Sequence, residues 1–356
     1  MKLIHCADLH LDSSMQMHLT AQQASVRNTE LIRSFVRLTQ YAEENGVRAV
    51  IVAGDLFDAS RVRERTVDEV VEAMRRTPGV DYLYLPGNHD EAAHAFRDRV
   101  LPENLKEFTD SWKTFFYDDV AVSGIAPDFC DSSFYEALPQ ADERTHIVTL
   151  HGQVGSVCAE DQINLNLLKN RGISYLALGH IHSFSLQKLD DKGVYCYAGC
   201  LEGRGFDECG SKGFVILEIE HGKVTPDFVP FACRELHRVP VDITGLARST
   251  EIAQRMKEAA QEIPARDMVE FLLTGYSAPD TNLSVSYLQT LFQDSFFFTK
   301  VKDESRMALN PADYENDVSL KGEFIRQVMA SELEETDKEA VIRMGLQALA
   351  GEEIAQ

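Results

Sequence analysis

No apolar run in this 356-residue chain approaches the ~20 residues that a membrane-crossing helix requires; the longest are strand-length. That excludes a helical membrane protein. CxxC spacing is also missing. Seven cysteines, an odd number, therefore read as reduced thiols of a cytoplasmic protein rather than as a disulfide framework or a zinc ribbon. Cys6 and Cys200 stand near the motifs described below, and packing is the expected role of both. Internal repeats and low-complexity segments are absent. Basic charge is scarce, with 35 Lys and Arg against 57 Asp and Glu, a formal net of −22. Such a field repels phosphate, opposite to the basic footprint of most nucleic-acid binders. The opening MKLIHCADLH runs straight into a predicted strand, so no removable signal peptide is expected there.

What is present is a large apolar complement, 44% of residues with Phe 19 and Tyr 11, enough for sizeable cores in two or three units. Strands are expected at 2–6, 49–53 and 81–85, with a long helix around 20–45 that stops at Asn45-Gly46. A second helix is expected to open with a Thr66-x-x-Glu69 capping box, and residues 94–117 read as helical, then irregular. From about 120 onward the chain is β-rich: DVAVSGIA, HIVTLHG, YLALGH, VYCYAG, GFVILEIE and KVTPDFVPF. This pattern predicts an α/β fold, two packed sheets with helices outside. After Cys233–His237 the order βαβαβ indicates a small α+β unit over 236–310. Two acidic helices over 311–356 follow. The first carries Leu320, Phe324 and Val328, the second opens with Thr336-x-x-Glu339 and carries Val341, Ile342, Leu346 and Leu349. Residues 310–356 hold 4 basic and 11 acidic side chains, net −7, whereas 236–309 hold 8 and 10, net −2.

Five short motifs each follow an apolar β-rich run: Asp8-Leu9-His10, Gly54-Asp55-Leu56-Phe57-Asp58, Gly87-Asn88-His89-Asp90, His151-Gly152 and Gly179-His180-Ile181-His182. Open α/β sheets place ligands at strand C-terminal ends, so the five loops are expected to converge on one edge. Mixed oxygen and imidazole donors suit divalent Mn, Fe or Zn better than Mg or Ca. Seven or eight donors exceed the needs of one such ion, which points to two sharing a carboxylate. A two-metal centre of this kind clamps the attacking and leaving oxygens of a phosphoryl displacement. Asp8 and His10, two apart on an extended segment, would face the same side and chelate one ion.

These motifs (DLH, GDLFD, GNHD, HG and GHIH) resemble those of the calcineurin-like metallophosphoesterase superfamily, and within it the SbcD-like and YhaO-like nucleases of the DNA-repair exonuclease branch. The specific part of the resemblance covers residues 1–235. It implies a four-layer αββα metallophosphoesterase sandwich over 1–235, a capping domain over 236–310 that helps position DNA, and a C-terminal helical segment over 311–356. It further implies that Asp8, His10 and His182 hold the first metal, that Asn88, His151 and His180 hold the second, and that Asp55 bridges both. Mn²⁺ is the expected ion, with Fe or Zn as alternatives, and a metal-bridging hydroxide is the expected nucleophile for in-line attack.

His89 would protonate the leaving oxygen, its ordinary pKa near 6.5 suiting that task. Asp58 and Asp90 would orient imidazoles. Arg61, Arg63 and Arg65 stand where they could meet substrate phosphates, or simply begin a solvated helix; Arg204, in the turn AGCLEGRGFDECGSKG, could clasp a phosphate. The branch implies DNA as substrate, cleaved by a 3′→5′ exonuclease with single-strand endonuclease activity. An SMC-like coiled-coil ATPase, SbcC-like, would dock on the C-terminal helices, and homodimerisation is left open. Acidity keeps a small-molecule phosphodiesterase or phosphomonoesterase as the alternative. A non-catalytic scaffold is disfavoured because every expected ligand is present. Asp58 is followed by Ala59-Ser60 rather than the Arg-Gly of the protein phosphatases, and Leu56-Phe57 replace the tyrosine of the purple acid phosphatases.

Overall fold

The computed structural model describes residues 1–13, 15, 19–58, 62–87, 96, 99–126, 132–140, 142–159, 161–277, 283–308 and 314–350. The chain divides into two compact units, Met1–Glu235 and Leu236–Gln356. The first begins β1 (Lys2–Cys6), α1 (Ala21–Glu44), β2 (Ala49–Ala53), α2 (Glu64–Arg75), β3 (Asp81–Leu85) and β4 (Leu105–Glu107). It continues through β5 (Lys113–Tyr117), β6 (Val120–Gly124), α3 (Ser132–Glu136), β7 (Thr145–His151), β8 (Gln153–Gly155), β9 (Gln162–Asn164) and α4 (Leu165–Leu168). It closes with β10 (Ile173–Gly179), β11 (Ser185–Lys188), β12 (Val194–Tyr197), β13 (Gly213–Glu220) and β14 (Lys223–Pro230).

These strands form two six-stranded sheets, ordered β14-β13-β1-β2-β3-β4 and β11-β12-β10-β7-β6-β5. Strands β1 to β4 are parallel, as are β6, β7, β10 and β12, so the C-terminal ends of each set share one edge. The unbroken apolar runs of the sequence are explained by burial on both faces. Leu3, Ala49, Ile51 and Ala53 point between the sheets, where they meet Ile147, Tyr175 and Ala177. Their neighbours Ile4, Val50 and Val52 turn outward against Leu31, Phe35 and Leu38 of α1 and Val70 and Met74 of α2. On the far sheet Val148, Leu150, Leu176 and Leu178 turn outward under Tyr135 and Leu168. The result is the four-layer αββα sandwich.

Local signals set most helix ends. Thr20 caps α1 by accepting from the Gln23 backbone N–H at 3.2 Å, while the Gln23 side chain accepts from the Thr20 backbone at 3.0 Å. At the other end Asn45 is the C-cap and Gly46 turns left-handed at φ 64°. Two expectations fail here. Helix α2 starts at Glu64, so Thr66 lies inside it; the Asp12 carboxylate accepts from the Arg63 backbone at 2.8 Å and holds that entry instead. Residues 105–107 and 113–117 are strands, neither helical nor irregular. Residues 105–107 complete the open edge of β3 opposite Tyr82–Tyr84, and KTFFY pairs antiparallel with β6. Tertiary pairing overrides local pattern at both places.

The second unit contains β15 (Leu236–Asp242), α5 (Ser249–Ala259), β16 (Met268–Thr274), β17 (Tyr276–Ser277), α6 (Val285–Phe292), β18 (Phe298–Asp303) and β19 (Arg306–Met307). Strands β15, β16 and β18 make a parallel three-stranded sheet, and Val269, Phe271 and Leu273 pack on Ile252, Met256 and Leu288 of the helices. The helices α7 (Leu320–Met329) and α8 (Glu335–Ala350) pack on each other and on Met307. Ile325, Val328, Ile342 and Leu346 are buried there with Phe324 packed against them, whereas Leu320 is 71% exposed and Leu349 46% exposed. Of the stripe expected in α7, Phe324 and Val328 thus face the core, and Ile325 stands in for Leu320. Helix α8 begins at Glu335, one residue before Thr336.

Candidate metal centre

Parallel pairing of β1 with β2 carries the loops beyond them side by side. The Asp8 backbone N–H donates to the Gly54 carbonyl at 3.1 Å and that of His10 to the Asp55 carbonyl at 2.8 Å. On the second sheet His151 ends β7 directly opposite Gly179 of β10. Asp8 and His10 do face one cluster, but not through an extended pleat: their φ angles are 53° and 42°, and Asp55 lies at 51°. His180, at φ 102°, is further from what an L-residue favours. Strain of this kind persists where surrounding structure over-determines it. Glycines allow the strand ends to close up. A Cβ on Gly87 would stand 2.1 Å from Asp55 Oδ1, and one on Gly179 would stand 1.9 Å from the Ala53 carbonyl.

Two sets of donors result, Asp8 with His10 and His182, and Asp8 with Asp55 and His151. Asp55 Oδ2 lies 3.4 Å from His10 Nε2 and 3.5 Å from His151 Nε2, and His10 Nε2 lies 3.3 Å from His182 Nε2. All these groups except His182 are buried. His151 Nδ1 meets the Ala53 carbonyl at 2.9 Å, which assigns the proton to Nδ1 and leaves Nε2 as the lone-pair nitrogen facing Asp55. The His180 backbone N–H donates to Asp8 Oδ1 at 2.8 Å. Its ring stands edge-on to that of His151, with centroids 5.5 Å apart.

The electrostatics call for cations. Asp8 Oδ2 is buried with no hydrogen-bond partner among the described residues, a costly state for a carboxylate oxygen. Burial, with Asp55 nearby, pushes the Asp8 carboxyl up to about 7, against the opposing pull of His182. Burial and the neighbouring His151 ring lower His180. An orphaned carboxylate oxygen beside imidazole nitrogens fits divalent cations of the Mn, Fe and Zn type.

Of the residues expected from the motifs, Asp8, His10, Asp55, His151, His180 and His182 converge. Asn88, His89, Asp90 and Arg61 lie outside the described residues. Asp58 is half-buried and pairs its backbone N–H with the Leu11 carbonyl at 3.1 Å. Arg63 and Arg65 do not join the cluster: the first is bound by Asp12 and the second, largely exposed, by Glu69 at 2.8 Å. Arg204 stands behind His182, on the Nδ1 side of the ring, and gives its guanidinium to Glu208 at 2.9 Å rather than facing outward as a phosphate clasp. Glu208 itself was missed. It accepts from His182 Nδ1 at 2.6 Å. Burial opposes its ionised form, yet the bonds from His182 and Arg204 hold its carboxyl well below the usual range. Burial likewise pulls His182 down, but the Glu208 bond together with the negative charges of Asp8 and Glu208 raises the imidazole. The glycine-rich turn that carries Glu208 was visible, its target 26 residues away was not.

An αββα sandwich with a carboxylate–imidazole cluster at its strand ends defines the metallophosphoesterase class. Residues 1–184 match the calcineurin-like phosphoesterase family, and the chain belongs to it. Members are hydrolases built around two divalent metal ions. The chain is 25% identical over 278 residues to the uncharacterized metallophosphoesterase YhaO of Bacillus subtilis, covering 73% of this chain and 67% of that one. It is 26% identical over 236 residues to the DNA double-strand break repair protein Mre11 of Saccharolobus solfataricus, covering 60% of each chain. To Mre11 of Aeropyrum pernix it is 24% identical over 269 residues, 68% of this chain and 64% of the relative. The chain thus spans 60% to 67% of these relatives' length. Among solved structures, a dimetal phosphatase from Danio rerio aligns with TM-score 0.45 and 11% identity, over 62% of this chain and 93% of its own. Among the described residues no helix is long and apolar enough to cross a membrane.

Proposed function

We propose that this chain is a two-metal-dependent phosphodiesterase acting on DNA, a 3′→5′ exonuclease with single-strand endonuclease activity in cytoplasmic DNA repair. The observation that carries the reading is the convergence of Asp8, His10, Asp55, His151 and His182 on one strand edge, in a chain similar to double-strand break repair proteins. Asp8, His10 and His182 would hold one cation, His151 and His180 with Asn88 the other, and Asp55, which reaches both His10 and His151, would bridge. Two ions held there, Mn²⁺ first among the candidates, would activate water and polarise the phosphoryl group. The residues do the rest. The Ala53 carbonyl and Glu208 each bind an Nδ1–H and so present Nε2 of His151 and His182 to the centre. His89, next to Asn88 in sequence, would donate a proton to the leaving oxygen.

The net charge of −22 favours a second reading, a phosphodiesterase or phosphomonoesterase for small nucleotide-type substrates. It equally favours a partner that brings basic surface to DNA. Exposed Leu320, Met344 and Leu349 on α7 and α8 support docking of an SMC-like coiled-coil ATPase there. The test is hydrolysis of 3′- and 5′-labelled single- and double-stranded oligonucleotides with Mn²⁺, beside a chromogenic phosphodiester. Shortening from the 3′ end is the expected result. Turnover of the small diester with intact oligonucleotides, also in the presence of a candidate ATPase, would replace the DNA reading with the second one. Leu349→Glu tests the dock with less disturbance than truncation, because Met307 shares the core of the helix pair; capture of the ATPase should be lost with hydrolysis of the small diester unchanged.

A further inference from the structure

The turn between β12 and β13 is held by more buried charge than a connecting segment needs. Glu202, 2% exposed, accepts from Arg27 of α1 at 3.1 Å, from the Ser34 hydroxyl at 2.6 Å and from the Cys233 backbone at 2.5 Å. Arg27, fully buried, also binds Glu30 and the Gly203 carbonyl at 2.8 Å, and Arg234 closes the set by gripping Glu30 at 2.6 Å. From this clamped stretch Arg204 and Glu208 extend to a single target, His182. The Arg204 backbone donates to Glu208 Oε2 at 2.7 Å and its guanidinium to Oε1, so both carboxylate oxygens are engaged and the carboxylate has one orientation. Lys212, 4% exposed, donates to the His182 carbonyl at 2.8 Å and fixes the backbone of the same residue.

We propose that Glu208, oriented by Arg204, is the positioning residue of His182: it accepts the Nδ1–H, selects that tautomer and presents Nε2 beside His10 as a metal ligand. The proposal rests on the metal-centre reading and adds an asymmetry to it. His182 is backed by an anion, whereas His151 is backed by the neutral Ala53 carbonyl. Removing Glu208 should therefore weaken one of two metal-binding steps and spare the other. Outer partners of this kind are worth roughly 10- to 100-fold in metal affinity.

The experiment compares full-length wild type with Glu208→Ala and Glu208→Gln in two readouts. Calorimetric titration of the metal-free protein with Mn²⁺ should show one step weakened about 10- to 100-fold in Glu208→Ala and the other within about 3-fold. Glu208→Gln, which keeps an acceptor oxygen without the charge, should lie between. Nitrogen–proton correlation spectra of the metal-free imidazoles should show His182 as the Nδ1–H tautomer in wild type and a tautomer mixture in Glu208→Ala. A folded Glu208→Ala variant that keeps the Nδ1–H tautomer would overturn the proposal, as would equal effects on both steps. If Glu208→Ala does not fold, an unchanged pair of steps in Glu208→Gln overturns it. If the wild type binds no Mn²⁺, the metal reading falls, and the spectra alone still decide what Glu208 does to His182.

Discussion

At the scale of single residues, the centre depends on close approach as much as on ligand identity. Asp55 Oδ2 lies within 3.5 Å of a nitrogen on both His10 and His151. Asp55→Asn should empty or scramble the centre and abolish hydrolysis. His89→Asn should retain both metals and lose about 10²- to 10⁴-fold in turnover. Elemental analysis of the two purified variants checks the pair, and equal metal loss in both would reassign His89 as a ligand. Backbone contact can be tested separately. In Gly179→Ala the new Cβ would meet the Ala53 carbonyl at 1.9 Å and His151 Nδ1 at 2.8 Å. Overpacking of this sort costs about 1–3 kcal/mol or more. Urea unfolding of the metal-free protein should show a loss of that size, and a midpoint equal to wild type would mean that the strand ends have room.

Among elements, the α7–α8 pair is the one whose stability is most local. Its core is small, and Ser319 caps α7 by accepting from the Gly322 N–H at 3.1 Å. The helices cross where Gly345 faces the Phe324 ring, and a Cβ there would lie 2.1 Å from the ring edge. Gly345→Ala should pry the pair apart although alanine is the better helix former by about 1 kcal/mol. Amide exchange followed by mass spectrometry should report faster exchange over 320–350 with β1, β2 and β10 unchanged. Slower exchange over 320–350 would show that propensity outweighs the contact.

For the whole molecule, buried histidines link stability to pH. Burial holds His5 at about 3 and His146 at about 4, against 6.5 when unfolded. The folded values are depressed, so below pH 6.5 the unfolded chain takes up protons that the folded chain refuses. Stability is lost as pH falls from about 6.5 toward 4. Asp8, raised in the metal-free protein, acts in the opposite sense, so a difference between two chains is the clean measure. His146→Gln should flatten the decline between pH 6.5 and 4.5 by about one proton, roughly 1.4 kcal/mol per pH unit. Chemical unfolding across that range checks it, and parallel curves for the two chains would place a charged His146 in the folded state.

The sequence by itself determined the strands of the sandwich and the residues at their ends. Runs such as AVIVA in β2 and YLAL in β10 are apolar at every position because both faces are buried, and that pattern is visible without a partner. The ligands follow those runs immediately, so their convergence follows from parallel strands. What tertiary structure alone decided depends on residues far apart in the chain. Strands β4 and β5 exist because open sheet edges accept them, Asp12 holds the entry of α2 from 51 residues away, and Glu208 reaches His182 from 26. Asp8 and His10 reach one cluster through left-handed turns that no two-residue spacing specifies. Local period encodes which face is apolar; the partner of a buried charge is chosen only when the chain has closed around it.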